Sequence, residues 1–437
     1  MKIDGGTTAW MLTATALVLL MTPGLALFYG GMTRAKSVLN MMLMSFVSII
    51  TVTVAWVLYG HSLTFTDNAD GLVNMFVGGS GALGLQSLVD TATKPDGTGM
   101  PSLVFSAFQL TFAIITVALI SGAVADRARF GAWVLFTVAW ATVVYFPVAH
   151  WVWGGGWLFS LGIEDFAGGT VVHINAGAAA LALALVLGRR AGWGREPTRP
   201  HNLPLVLLGA GLLWFGWFGF NAGSELAVDG TAGLAFMNTQ IAAAAAAGAW
   251  LVVEKRRDGH ATSLGVASGA VAGLVAITPA CGFVDPWAAL VIGAVAGSVC
   301  ACAVGLKYRL GFDDSLDVVG VHLVGGVLGA VSLGFLAAHP FLKQQSTGLF
   351  YGGGVRQLGL QVLGPVAVGV YSFAVTWVIA KIIDRTVGFR IGAEEELAGV
   401  DITSHAETGY DLGTVHASGA VSPHGPAITS TARKVDV

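Results

Sequence analysis

Gly168-Gly169-Thr170-Val171-Val172-His173-Ile174-Asn175-Ala176-Gly177-Ala178-Ala179-Ala180-Leu181-Ala182-Leu183-Ala184-Leu185-Val186-Leu187-Gly188 contains no Asp, Glu, Lys or Arg, and Arg189-Arg190 follow it directly. A helix needs about 20 predominantly apolar residues to cross a bilayer, and this stretch supplies them. Its one ionisable group, His173, falls inside the run. Such a residue at membrane depth is costly and faces an interior path or an interior partner.

Reading outward from this stretch gives the same pattern ten more times. The apolar runs are Trp10–Gly31, Asn40–His61, Ser102–Val124, Gly131–His150, Gly168–Gly188, Leu203–Asn221, Thr231–Val253, Thr262–Thr278, Pro286–Leu306, Val318–Ala338 and Arg356–Arg385. The expected fold is therefore all-α and integral to a membrane, with eleven transmembrane helices. The last run reaches about 45 Å at 1.5 Å per residue, so it tilts or extends past the bilayer. The first run is too long for the h-region of a signal peptide and is read as the first spanning helix.

Positive charge sets the direction. Arg34 and Lys36; Arg127 and Arg129; Arg189, Arg190, Arg195 and Arg199; Lys255, Arg256 and Arg257; Lys307 and Arg309; and Lys381, Arg385, Arg390, Arg433 and Lys434 fall on one side. Lys2, Lys94, Lys343 and Arg356 fall on the other. The alternation holds through every run and predicts the N-terminus outside and the C-terminus inside.

Composition agrees. Of 437 residues, 55% are hydrophobic and 11% charged, against roughly 25% charged in a soluble domain. Glycine, at 61 residues, is about twice its usual share, which suits close helix packing in lipid. Gly265, Gly269 and Gly273, Gly293 and Gly297, and Gly325 and Gly329 repeat at helical spacing and predict tight contacts. A net charge of −3 gives no reason to expect a nucleic-acid partner. Cys281, Cys300 and Cys302 are too few for a disulfide framework. Cys300 and Cys302 point to different sides of a helix. The segment from about His61 to Pro101 is a polar, glycine-rich outer loop. Residues 1–386 form the membrane domain, with halves at about 8–188 and 203–338 and the long helix at about 356–385. Residues 387–437 form a cytoplasmic tail, disordered towards its end.

His322, in Gly320-Val321-His322-Leu323-Val324, occupies the tenth run as His173 occupies the fifth. A five-helix unit repeated once yields two halves of opposite topology, and corresponding residues then meet near the midplane. Two neutral imidazoles there can bond to each other, since each offers one donor and one acceptor. Spacing leaves two readings open, a structural pair or a pair lining a path. A metal has no third ligand at useful spacing, so none is expected. His150 reads as an interfacial or capping residue. Trp151, Trp153 and Trp157 fit either an interfacial belt or a cation–π site at an outer mouth. Asp165 caps the fifth helix or adds negative potential for a cation. Phe108 and Phe112 read as lipid-facing or core.

Several segments resemble the Amt/Mep/Rh ammonium transporters, and the bacterial Amt branch in particular. They are Thr22-Pro23-Gly24-Leu25-Ala26-Leu27-Phe28-Tyr29-Gly30-Gly31, Asp165 through Asn175, Gly216-Trp217-Phe218-Gly219-Phe220-Asn221-Ala222-Gly223-Ser224, Thr278-Pro279-Ala280-Cys281-Gly282, and Asp317 through His322. The likeness runs into the tail at about Tyr410. It implies a homotrimer in the cytoplasmic (inner) membrane, each protomer with its own pore for ammonium or ammonia, and methylammonium as an analogue. It implies an outer binding site of Trp153, Ser224 and Phe112 organised by Asp165. It also implies a gate of Phe112 over Phe220, and a pore lined by His173, His322 and Trp217. No cofactor is implied. A trimeric PII-class signalling protein is the implied partner at the cytoplasmic face.

Ammonium and potassium are alike in size and charge, so selection calls for hydrogen-bond acceptors and a deprotonation that potassium cannot undergo. An ammonium sensor and an electroneutral Rh-like gas channel share these residues and stay open as alternatives. An intramembrane enzyme needs a nucleophile or metal constellation that the runs lack.

Overall fold

The computed structural model describes residues 3–90, 99–195, 199–338 and 347–410. The described chain is helical and contains no β-strand. In order it forms α1 (Gly5–Met32), α2 (Ala35–Phe65), α3 (Ser102–Val124), α4 (Phe130–Leu161), α5 (Gly169–Leu187), α6 (Leu203–Glu225), α7 (Gly230–Asp258), α8 (Ser263–Ile277), α9 (Pro286–Leu310), α10 (Val319–Leu336) and α11 (Val355–Thr386). Ten of these are long and apolar enough to cross a membrane; α8 is apolar but shorter. The protein is a multi-pass membrane protein.

Helix starts are written in polar residues between the apolar runs. Asp4 accepts from the Thr7 N–H at 2.6 Å, Asn202 from Leu205 at 2.9 Å, Asp229 from Thr231 at 2.9 Å and Thr262 from Gly265 at 2.9 Å. Each satisfies an N–H that the helix cannot pair internally. At the far end of α7, Gly259 takes a φ of +81° and stops the helix.

The expected glycine seams are contact surfaces. A Cβ at Gly273 or Gly293 would overlap the Ala242 carbonyl, and one at Gly297 the Ala246 carbonyl. Ala242 and Ala246 on α7 thus form a bed for α8 and α9. A Cβ at Gly329 on α10 would overlap the Ala276 carbonyl of α8. The same device joins α1 to α6, where Gly209 lies against the Phe28 nitrogen. Cys300 is buried and Cys302 exposed, as helical geometry requires.

The loops following α1, α3, α5 and α9 meet at one end of the bundle. Arg190 bonds Asp313 at 2.9 Å and Asp126 at 3.1 Å, and Arg34 approaches Asp126 at 3.3 Å. Burial pushes the Asp313 carboxyl up, but Arg190 and Arg127 outweigh it and hold it below the usual carboxylate range. Arg190 follows α5 and Asp313 precedes α10, so these two helices run in opposite directions.

The chain after α11 docks on this same basic end. Arg129 N–H donates to the Phe389 carbonyl at 2.9 Å and Ile391 N–H to the Arg127 carbonyl at 3.0 Å. A short helix, α12 (Ala393–Ala398), buries Glu396, which accepts from the Ala191 N–H at 2.7 Å and from Arg390 at 3.0 Å. Asp401 caps α2, accepting from Leu39 at 2.9 Å and Asn40 at 2.8 Å. The expected disorder of the tail's end falls in residues 411–437, outside the described residues. So do Lys2, Lys94, Lys343, Arg433 and Lys434 of the charge pattern.

Candidate substrate conduit

Asp165 precedes α5, and its carboxylate receives the whole first turn. Oδ1 accepts from Gly168 at 3.0 Å and Gly169 at 2.6 Å; Oδ2 accepts from Thr170 at 2.8 Å and Val171 at 3.0 Å. Burial pushes this carboxyl up to about 6 while the four N–H groups pull it down, so it is ionised at neutral pH. Its backbone carbonyl accepts the Trp153 indole N–H at 2.9 Å. One residue therefore fixes both the helix that carries His173 and the ring of Trp153.

Asp314 repeats the arrangement before α10. It accepts from Val318 at 3.1 Å and Val319 at 2.7 Å. His173 lies eight residues after Asp165, and His322 eight after Asp314. Each histidine falls in a π-helical turn, Gly169–Ile174 in one case and Val319–Leu323 in the other. A π-turn inserts a residue and re-aims the side chains around it, and such turns concentrate at functional sites.

These two turns bring the imidazoles together. The Nδ1 atoms of His173 and His322 are 3.2 Å apart, and the rings stack at 5.3 Å between centroids. A neutral pair makes this bond with one ring donating from Nδ1 and the other accepting there. His173 also stacks on Trp217 at 5.3 Å. Trp217 is held by its N–H, which donates to the Thr278 hydroxyl at 2.9 Å.

A narrow cavity touches both histidines, with a free volume of about 10 Å³, room for one water-sized molecule. Its remaining walls are Met21, Leu25 and Phe28 of α1, Ile115 and Leu119 of α3, Leu213, Trp217 and Phe220 of α6, and Val271 of α8. These aliphatic walls escaped the sequence reading, because one apolar residue in an apolar helix looks like any other. Thr278 and Asn221, which support Trp217, were quoted in motifs without a role.

Next to the cavity, which Phe220 lines, the rings of Phe112 and Phe220 lie 4.2 Å apart. Trp153 meets Phe112 edge-on at 6.0 Å. The Ser224 hydroxyl donates to the Phe220 carbonyl at 2.8 Å, which leaves its lone pairs free to accept. Phe108 is core, packed on Phe112 at 4.8 Å.

Two sequence expectations change. His150 is not interfacial: it is buried, with its ring nitrogens 2.8 Å from the Thr64 carbonyl and 2.7 Å from that of Asn74. It ties the long loop to α4. Trp151 does the same, donating to the Phe76 carbonyl at 2.8 Å. The long loop needs internal partners for its backbone, and these side chains supply them.

Fold and site together define a polytopic membrane protein with a small, mostly apolar cavity beside a bonded histidine pair in its interior. The model of the Ammonium Transporter Family matches residues 9–410. The chain belongs to that family. It is 56% identical over 450 residues to an ammonium transporter of Mycobacterium tuberculosis (strain ATCC 25618 / H37Rv), covering 98% of this chain and 94% of the relative. Among solved structures, Candida albicans Mep2 superposes with a TM-score of 0.84 at 36% identity, covering 90% of this chain and 88% of that one. A structure titled Sensor Amt Protein superposes at 0.83 with 29% identity, covering 92% and 98%.

Proposed function

We propose that this protein takes up ammonium across the cytoplasmic membrane, and that the bonded pair His173–His322 inside an apolar passage is what makes the uptake selective. An intact ion entering such a passage loses its hydration at a cost on the order of tens of kcal/mol in the ideal limit. Ammonia avoids most of that cost. Ammonium binds first at the face of Trp153, with Phe112 as an aromatic wall and the lone pairs of Ser224 as acceptors. It gives up its proton near the Phe112/Phe220 gate. Ammonia then passes Trp217, His173 and His322 and regains a proton at the far end. The proton follows the paired imidazoles separately, which makes transport electrogenic.

Several features of the molecule follow this reading. All eleven helices cross, α8 included. The Trp153 end faces outward and the basic end faces the cytoplasm, with the N-terminus outside. Residues 1–386 form the membrane domain in two inverted halves, an arrangement supported by the matched Asp165/His173 and Asp314/His322 pairs. The protein works as a homotrimer, and a PII-class signalling protein docks on the basic face that the tail crosses.

His173→Ala and His322→Ala in proteoliposomes test the central claim. Ammonium-evoked current and methylammonium uptake are expected to fall to background while the purified protein stays folded. Unchanged selective current in both variants would remove the pair from the mechanism. The likeness to a sensor favours one second reading, ammonium sensing; binding retained by the native protein without any uptake would establish it instead.

A further inference from the structure

Glu164, the residue beside Asp165, has no place in the conduit, yet it is 1% exposed. Neither of its carboxylate oxygens has a hydrogen-bond partner among the described residues. It faces Gln357 of α11, and Gln361 lies one turn further along the same helix. Both glutamines are fully buried, and all four of their side-chain nitrogen and oxygen atoms are equally without partners. The loop holds this register because Ile163 packs directly on Gly364, one further turn along the same stripe. Arg356, next to Gln357, donates from Nη2 to the Leu161 carbonyl at 3.0 Å. No ion pair reaches Glu164 among the described residues.

Six buried polar atoms, on Glu164 and on two glutamines one turn apart on the facing helix, are hard to explain as structure alone, since unpartnered groups each cost about 1–3 kcal/mol and a bare carboxylate more. The Gln357 amide lies close enough to pull the Glu164 carboxyl down, but the two well-formed hydrogen bonds of a direct acid–amide pair are not made. The set holds four oxygens and, once Glu164 gives up its proton, a single negative charge. Divalent ions take six or more ligands, usually with several carboxylates; this set has one.

We propose that Glu164, Gln357 and Gln361 bind a single monovalent alkali-metal cation, coordinated by the Glu164 carboxylate and the two carboxamide oxygens. The cation ties the loop that carries Asp165 to α11 and so steadies the mouth of the conduit from behind. Burial pushes the Glu164 carboxyl up to about 8 against the pull of Gln357, so without a cation Glu164 holds its proton at neutral pH, and cation binding releases that proton to solvent. The inference does not rest on ammonium transport.

Crystals of the full chain soaked in thallium(I) nitrate provide the test. An anomalous peak within coordination distance of Glu164 is expected in the native protein and absent in Glu164→Gln. In parallel, potassium is expected to raise the Tm of the detergent-solubilised protein over an N-methylglucamine control. That rise should disappear in Glu164→Gln and shrink in Gln361→Leu, which keeps the carboxylate and guards against a folding defect in the first variant. A peak only at Trp153 would overturn the proposal. So would an equal potassium response in all three proteins, a side chain of residues 339–346 seated on Glu164, or an infrared band showing Glu164 protonated in potassium buffer.

Discussion

Asp165 concentrates more structure than any other side chain around the conduit. Four N–H groups converge on its two oxygens, and its carbonyl holds Trp153. Asn at this position keeps one acceptor and turns an NH2 towards two N–H groups. Hydrogen bonds to a charged group contribute about 1.5–3 kcal/mol each, so losing two costs about 3 kcal/mol or more. Asp165→Asn is expected to lower the Tm in detergent by several degrees and to abolish methylammonium uptake, since the His173 turn and the Trp153 ring move together. A variant with native Tm and native uptake would show that the cap is dispensable. Trp217→Phe isolates a smaller term. It keeps the ring stacked on His173 but removes the donor to Thr278, leaving a buried hydroxyl short of one partner. A loss of about 1 kcal/mol is expected, read as a modest Tm decrease. Uptake should decline without vanishing.

At the scale of elements, the seams decide which helices touch. Gly209 and Gly211 lie on the same helix, α6, yet differ sharply: a Cβ on Gly209 meets the Phe28 backbone of α1, while one on Gly211 meets nothing within 4 Å. Backbone cannot step aside as a flexible side chain can, so Gly209→Ala is expected to cost about 1–3 kcal/mol as an overpacked contact. Gly211→Ala should gain a few tenths to about 1 kcal/mol from helix propensity. Thermal unfolding of the two variants in one detergent checks the contrast, and equal Tm values would contradict the seam. The helices themselves were readable from their apolar runs, because a spanning helix has a length and composition that few other structures share. Gly273, Gly293 and Gly329 were readable for the same reason, as spacing on a helix is geometry. The π-turns at His173 and His322 were not, since nothing in Val-Val-His-Ile or Gly-Val-His-Leu distinguishes a wider turn from an ordinary one; packing selects it. The conduit walls at Leu119, Leu213 and Val271 were hidden by being apolar on every face. Trp151 and His150 misled because their position at a helix end is equally that of a residue facing lipid headgroups. Only the fold of residues 62–77 over α4 supplies their partners.

For the molecule as a whole, the basic end is a junction in which loops far apart in sequence share a few charges. Arg190 alone joins Asp126 and Asp313, and Glu396 brings α12 to the same spot. Fully buried pairs of this kind add little over an apolar substitute, but removing one partner strands the other and costs about 3–5 kcal/mol. Asp313→Asn takes the Asp313 charge from both Arg190 and Arg127 and leaves Arg190 with Asp126, so a clear drop in Tm is expected at neutral pH. The pH dependence carries the sign. Asp313 is held below its ordinary carboxylate pKa of 3.8 in the folded protein, so the unfolded chain takes up its proton first as the pH falls. Its stabilisation is therefore complete above about pH 5, declines through the ordinary carboxylate range and is gone once the folded carboxyl is protonated as well. The native protein and Asp313→Asn should consequently differ most at pH 7, begin to converge below about pH 4 and meet only once the pH has fallen through the lowered folded pKa, whereas Gly209→Ala should keep its deficit throughout. Tm measured across this range in one detergent separates the two. A constant gap between native and Asp313→Asn proteins would mean that the junction is held by shape and not by charge.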